Sequence, residues 1–364
     1  MNFSLIQQHR NGLARTQKAL AAGTLRLGFI GGSITAPYYY NWPEGVISWF
    51  AEHFSNVRLH VDNVAIGATG SQLAVFRAQR DLIDKGCDLV FVEYAVNDRG
   101  ADRQTRRRTQ EGLVRKLLAG EGRDVVFTYT FCPEMYEDMA AGRVPQSILD
   151  LDEIAAHYGI GSVWMGLHAF KENQSGRMRW EEWLPDGLHT RERGSWSYAQ
   201  AVFAYLEKEL LSKTVPTSIP AGSQRPAPLD PAHWESAASF SFDDVKLTGP
   251  WTLRLSPRWW ADRFLETAAV GARMEFTFEG RALCLGFDFG KSSSEFRYRL
   301  DGADWVTSNR KRPSWCPESD WFQIYPVSEN LAPGSHHIEI EVVHGNRPEC
   351  TGTNFRLALI GIVT

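Results

Sequence analysis

Leu25-Arg26-Leu27-Gly28-Phe29-Ile30-Gly31-Gly32-Ser33-Ile34-Thr35 is the stretch on which the fold turns. A short apolar run closed by glycines reads as a buried strand, and the residues after it turn helical. The same unit recurs outward along the chain. Apolar runs at residues 25–30, 59–66, 89–94, 125–131 and 162–165 read as strands, and the stretches 44–54, 73–85 and 105–118 between them read as helices. Alternating strands and helices predict a parallel sheet covered on both faces. Residues 1–22, with Leu5, Ile6, Leu13 and Leu20 loosely at helical spacing, read as a leading helix, and residues 195–211 as an amphipathic closing helix.

A chain of 364 residues is longer than one ordinary domain. Composition changes at residues 213–231, where five prolines sit among Ser, Thr and Gly with no periodicity. Beyond it, alternating segments at 273–278, 282–289, 295–300, 321–325, 336–343 and 355–363 are separated by turn signals such as Asp301-Gly302 and Pro333-Gly334. That is the pattern of an all-β sandwich. The expected organisation is an N-terminal helical segment at 1–22, an α/β domain at 23–212, a linker at 213–235 and a β-sandwich at 236–364.

Hydrophobic residues make up 43% and charged residues 23%, as in an ordinary soluble protein. With 39 Lys+Arg against 43 Asp+Glu, the net charge of -4 supplies no field for nucleic acid or an anionic membrane, and neither is expected as a partner. No run of about 18 apolar residues marks a membrane span. The five cysteines lie far apart with no C-x-x-C pair, which argues against a disulfide framework or a zinc site. Reduced thiols and a cytoplasmic location are expected.

Ligands of open α/β sheets bind beyond the carboxyl ends of the strands, and Ser33 is delivered there. A Gly-Gly-Ser turn alone more often caps a helix, and the lysine of a phosphate-binding loop is missing. Two further features change that balance. Asp186-Gly187-Leu188-His189 places a carboxylate and an imidazole three residues apart, so one ring nitrogen can be held while the other faces a nucleophile. The Asn63 to Ser71 stretch and the Glu93 to Asp98 stretch end two other strands with small residues and a side-chain amide, suited to donating hydrogen bonds to an oxyanion.

Together these blocks resemble the SGNH (GDSL-type) serine hydrolase family over roughly residues 24–211. The resemblance implies a flavodoxin-like three-layer α/β/α fold and ester hydrolysis that needs neither metal nor organic cofactor. It makes Ser33 the nucleophile, His189 the base and Asp186 its partner. Ser33, Asn97 and either Ala68 or Gly67 would form the oxyanion hole. The chain departs from the family pattern at Ala68, where a glycine is usual, and at Ala95, the leading position of the third block. A positive φ would disfavour an alanine at position 68.

The sandwich is similar to the jelly-roll modules that accompany some carbohydrate esterases. The expected function is therefore a serine esterase removing small acyl groups, acetyl foremost, from a saccharide. A lipid esterase or thioesterase of the same fold is one alternative, and a non-catalytic carbohydrate-binding or assembly protein is another. Tyr38, Trp42, Trp180 and Trp315 are candidate substrate contacts. The polar, aromatic insertion at 164–183 reads as a specificity loop, the arginines at 103–115 as a solvated helix face, and His168 as a rival base. A homo-oligomer stays open.

Overall fold

The computed structural model describes residues 6–120, 122–212, 225–313, 316 and 320–364. The chain divides into two units, Met1–Glu235 and Ser236–Thr364.

In the first unit, strands β1 (Gln7–Gln8), β2 (Thr24–Gly31), β3 (Arg58–Asn63), β4 (Leu89–Glu93), β5 (Asp124–Thr128) and β6 (Gly161–Val163) form one sheet in the order β1-β6-β5-β4-β2-β3. All pairs are parallel except the edge strand β1, which runs against β6. The parallel core has flavodoxin-like order, and its direction of winding reverses between β2 and β4, the place where such sheets bind ligands. Helices α2 (Trp42–His53) and α7 (Met165–Gln174) pack on α9 (Glu192–Leu206), and α3 (Ser71–Ala78) and α6 (Gln146–Tyr158) pack on α4 (Arg103–Leu117). Two short helices, α5 (Tyr136–Ala140) and α8 (Trp180–Trp183), lie in the connections after β5 and α7. The sheet is buried between layers because β2 and β4 carry apolar residues on both faces, with Leu25, Leu27, Phe29, Val90 and Phe91 inaccessible to solvent.

The leading segment differs from the expected helix. Gln7–Gln8 pairs with β6, and helix α1 (Ala14–Ala21) begins only after Gly12, whose φ is +72°. Ile6 and Leu13 are buried, and Arg10 spans to Asp152 through two hydrogen bonds of 2.9 Å. Contacts made elsewhere in the fold thus override a loose helical spacing. Residues 1–5 lie outside the described residues.

The expected linker differs too. Residues 213–224 lie outside the described residues, but 225–235 pack against α4. Glu111 accepts hydrogen bonds from the backbone N–H groups of Leu229 (2.6 Å) and Asp230 (2.8 Å), Arg115 pairs with Glu235 at 2.6 Å, and Trp234 is buried. Gly112 lets the Trp234 backbone come so close that a Cβ there would fall 2.5 Å from its carbonyl carbon. The α4 arginines are likewise no solvated face. Arg106 is buried and paired with Asp150 at 2.5 Å, Arg103 pairs with Asp150, and Arg107 with Glu153.

The second unit is a pair of antiparallel sheets. β9 (Thr252–Leu255), β10 (Arg263–Thr267), β17 (Phe355–Val363), β12 (Ala282–Phe289) and β15 (Trp321–Ser328) form one, with β7 (Ala238–Ser239) pairing β17. β8 (Lys246–Thr248), β11 (Arg273–Gly280), β16 (Gly334–Val343), β13 (Glu295–Leu300) and β14 (Val306–Thr307) form the other. Alternation builds the core. Met274, Phe276 and Phe278 of β11 point inward with Ile338, Ile340 and Val342 of β16 and Phe287, Phe296 and Phe355, while Arg273, Thr277 and Glu279 point out. β8 and β9 are exposed throughout and carry no buried stripe, so sequence periodicity does not reveal them.

Candidate active site

The turn after β2 lifts Ser33 to the carboxyl edge of the sheet at the β2/β4 reversal. The N–H groups of Thr35 and Ala36 both bond to the Gly32 carbonyl (3.1 and 3.0 Å), which closes the turn tightly. Asn41, at the start of α2, does not cap its own helix. Its side-chain amide reaches back to the carbonyls of Ser33 (3.2 Å) and Ala36 (2.8 Å). Asn63 at the end of β3 donates to the Thr35 carbonyl at 2.8 Å. Sequence reasoning does not pick out Asn41 as a brace, because Asn-Trp-Pro signals only a helix start.

Between α8 and α9, the Asp186 to His189 turn passes through Gly187 at φ +86°, a conformation that favours glycine. His189 Nε2 lies 2.7 Å from Ser33 Oγ, and His189 Nδ1 lies 2.8 Å from Asp186 Oδ2. Asp186 Oδ1 accepts the N–H groups of Leu188 (2.9 Å) and His189 (2.7 Å), which locks the carboxylate under the ring. Partial burial works to raise the Asp186 carboxyl, but the His189 and Leu188 N–H groups and the imidazole outweigh it and hold it down to about 2. The pair stays wet, with 40% of the His189 side chain and 56% of that of Asp186 exposed.

The candidate oxyanion donors gather around the same serine. Asn97 lies over the Ser33 turn, where its amide fills the space next to Gly32. Gly67 lies against Ser33, so a Cβ there would stand 3.5 Å from that of the serine. Ala68 adopts φ +60°, a left-handed conformation unfavourable for alanine. The neighbouring Asp98 joins the two donor loops. It is buried, accepts the Ser71 N–H at 2.9 Å, and also bonds the side chain of Gln110. Burial raises its carboxyl, opposed by Ser71 and Gln110.

No family model and no curated relative matches the chain. Among solved structures it is similar to a two-domain esterase active on acetylated mannans, one of whose structures is a co-crystal with mannopentaose. The identity is 22% and the TM-score 0.83, over 100% of this chain and 98% of that one. The chain has the fold of a two-domain esterase. A variant of an acetyl xylan esterase from Geobacillus stearothermophilus overlaps it at 18% identity over 52% of this chain and 97% of its own, with a TM-score of 0.43.

Within this fold the aromatic candidates separate. Trp42 is 0% exposed, packed edge-on against Phe29 and Phe91, and its indole N–H bonds Thr35 Oγ1 at 3.1 Å. It is a core residue and cannot touch a substrate, because helix α2 turns it under the serine. Tyr38 is 53% exposed and stacks on Tyr40, over which the Arg191 guanidinium sits at 4.5 Å. That stack joins the loop after Ser33 to the segment after His189. Trp180 is half-buried in a cluster with Phe131, Tyr136 and Trp183. Trp315 lies outside the described residues.

The insertion at 164–183 is helical, as α7 and α8, and packs on α9, so it is not a loop. His168 bonds Ser197 Oγ at 3.1 Å and takes no part in the Ser33 cluster. Burial lowers its basicity. Among the described residues no group of three or more His, Cys, Asp or Glu side chains is placed to hold a metal ion. No helix among them is long and apolar enough to cross a membrane.

Proposed function

We propose that the protein is a serine esterase that removes acetyl or similarly small acyl groups from carbohydrate hydroxyls. The observation that carries this reading is the contact chain from Ser33 Oγ to His189 Nε2 (2.7 Å) and from His189 Nδ1 to Asp186 Oδ2 (2.8 Å). Those separations match a nucleophile, a base and a carboxylate that fixes the base.

In this mechanism the carboxylate of Asp186 keeps the proton of the neutral ring on Nδ1, which leaves Nε2 free to accept. His189 takes the Ser33 proton as Oγ attacks the ester carbonyl. The N–H groups of Ser33 and of Ala68 or Gly67, with the Asn97 amide, receive the oxyanion of the tetrahedral intermediate. Each such donor contributes about 2.7–4 kcal/mol to lowering the barrier. His189 then passes its proton to the departing sugar hydroxyl, and a water repeats the sequence on the acyl-serine.

The carbohydrate part is supported by the full-length likeness to an esterase active on acetylated mannans and by the exposed Tyr38 near the serine. A bulky, hydrated substrate suits a base and carboxylate that stand open to water. Release of acetate from acetylated oligosaccharides, with p-nitrophenyl acetate turned over and long-chain p-nitrophenyl esters refused, tests the reading. Preference for long acyl chains would replace it with a lipid esterase. A Ser33→Ala variant that still reacts with a fluorophosphonate would remove the nucleophile assignment.

A further inference from the structure

Below the Ser33 turn lies a carboxyl group for which the proposed chemistry has no use. Glu93 is the last residue of β4 and is 0% exposed. Its Oε2 accepts the Thr35 hydroxyl at 3.1 Å and its Oε1 the Thr130 hydroxyl at 2.7 Å. The Thr35 oxygen is itself held by the Trp42 indole N–H at 3.1 Å, which directs the threonine proton at Glu93. The Gly32 N–H also supports the charged form. Groups that follow β2 and β5 therefore converge on the carboxylate at the end of β4, and two of them, Gly32 and Thr35, flank the serine.

A wholly buried carboxyl is a costly way to fill space, and an apolar side chain of similar volume would be at least as good for folding. Burial pushes Glu93 up to about 7, against the lowering effect of Thr130, Thr35 and Gly32. Carboxyls with values shifted in this way cluster at functional sites. Resting on the reading of Ser33 as nucleophile, we infer that Glu93 is a positioning residue: its carboxylate fixes the Gly32 to Thr35 turn so that the Ser33 hydroxyl and N–H hold their reactive alignment. Gln at this position preserves size but offers one acceptor oxygen and adds two donors, so it cannot serve the hydroxyls and the N–H together. A displacement of about 1 Å at a reacting atom is enough to cost about 100-fold in rate.

The test compares wild type, Glu93→Gln, Thr130→Val and the double variant by steady-state kinetics on p-nitrophenyl acetate, by the rate of fluorophosphonate labelling of Ser33, and by thermal melting at pH 8. Glu93→Gln is expected to lower kcat about 10- to 100-fold and to slow labelling in proportion, with KM within about twofold and no fall in melting temperature. Thr130→Val, on the far side of Glu93 from the serine, is expected to lose about three- to tenfold in kcat, and the double variant no more than Glu93→Gln alone. Should Glu93→Gln fail to fold, Thr130→Val decides by the same measure. Wild-type kcat in whichever variant folds, or a loss carried by KM together with a lower melting temperature, overturns the inference. An inactive wild type overturns the esterase reading and this inference with it, whereas an active wild type beside an equally active Glu93→Gln overturns only the inference.

Discussion

The Asn97 amide occupies the place that a methyl group on Gly32 would need: a Cβ built there falls 2.0 Å from Asn97 Oδ1 and 2.6 Å from Cγ. Gly32 is thus a seat for the Asn97 amide, the proposed oxyanion donor, as well as a turn residue. Gly32→Ala must displace the amide, and it is expected to lower kcat by about 100-fold or more, the scale of losing one oxyanion donor. KM should change little. Wild-type kcat in Gly32→Ala would take Asn97 out of the oxyanion hole.

Asp186→Asn keeps the shape of the turn but removes the charge beside the ring and allows the wrong tautomer. A loss of kcat of about 10⁴-fold is expected at pH 7, with the fold intact by circular dichroism. Because the native carboxyl is held down to about 2, wild-type activity should show no limb from Asp186 at any pH above about 3. A loss of less than tenfold in Asp186→Asn would make the carboxylate a bystander.

Ala68 pays about 1–2 kcal/mol to hold a left-handed φ of +60°, and glycine would be free of that strain. Glycine in turn loses about 0.5–1 kcal/mol through its more mobile unfolded chain. The balance predicts that Ala68→Gly is slightly more stable, by about 0.5 kcal/mol, and retains kcat, since the proposed oxyanion hole would ask only a backbone N–H of this residue. Chemical denaturation of both proteins checks it. A clear destabilisation would mean that the alanine methyl makes packing contacts that outweigh the strain.

Glu93 also sets a pH dependence of stability. Its carboxyl titrates at about 7 in the folded protein against an ordinary value of 4.5, so the folded state binds the proton more tightly than the unfolded chain. The stabilisation from protonation is complete below the ordinary value and is lost as pH rises through about 7, amounting to roughly 3 kcal/mol. Asp124, raised to about 6 by burial against the opposing hydrogen bonds of the Thr16 N–H and hydroxyl, acts in the same direction. The melting temperature should fall between about pH 5 and pH 8, and Glu93→Gln should flatten part of that fall. Parallel curves for the two proteins would show that Glu93 does not titrate in this window.

Tyr38 and Trp42 lie four residues apart and call for opposite results. Tyr38→Ala is expected to raise KM several-fold for acetylated oligosaccharides and leave p-nitrophenyl acetate untouched, as losing a stacking surface of about 1 kcal/mol would do. Trp42→Ala empties a core position and should cost about 3–5 kcal/mol of stability. Equal effects of Tyr38→Ala on both substrates would dismiss it as a sugar contact.

The parallel sheet was legible because its strands are buried on both faces and appear as unbroken apolar runs between glycine-marked turns. The Ser33, Asp186 and His189 cluster was legible because each member ends or precedes an element that the sheet order brings to one edge. Trp42 misled because a tryptophan near a nucleophile looks alike whether it faces substrate or core, and only the helix phase decides. Asn41 and Glu93 left no signal, since one resembles a helix start and the other a polar residue ending a strand. The arginines of α4 read as solvated because their acidic partners, Asp150, Glu153 and Glu235, lie 44 or more positions away in the sequence.

The grip of α4 on residues 225–235 determines where the two halves of the chain can be severed. A fragment of the first unit stopped at residue 212 would strip Trp234 from its seat on Gly112 and leave Glu111 buried without the N–H groups of Leu229 and Asp230. One carried through to Glu235 keeps that clasp whole, so residues 225–235 travel with the first unit, as its buckle rather than its tether.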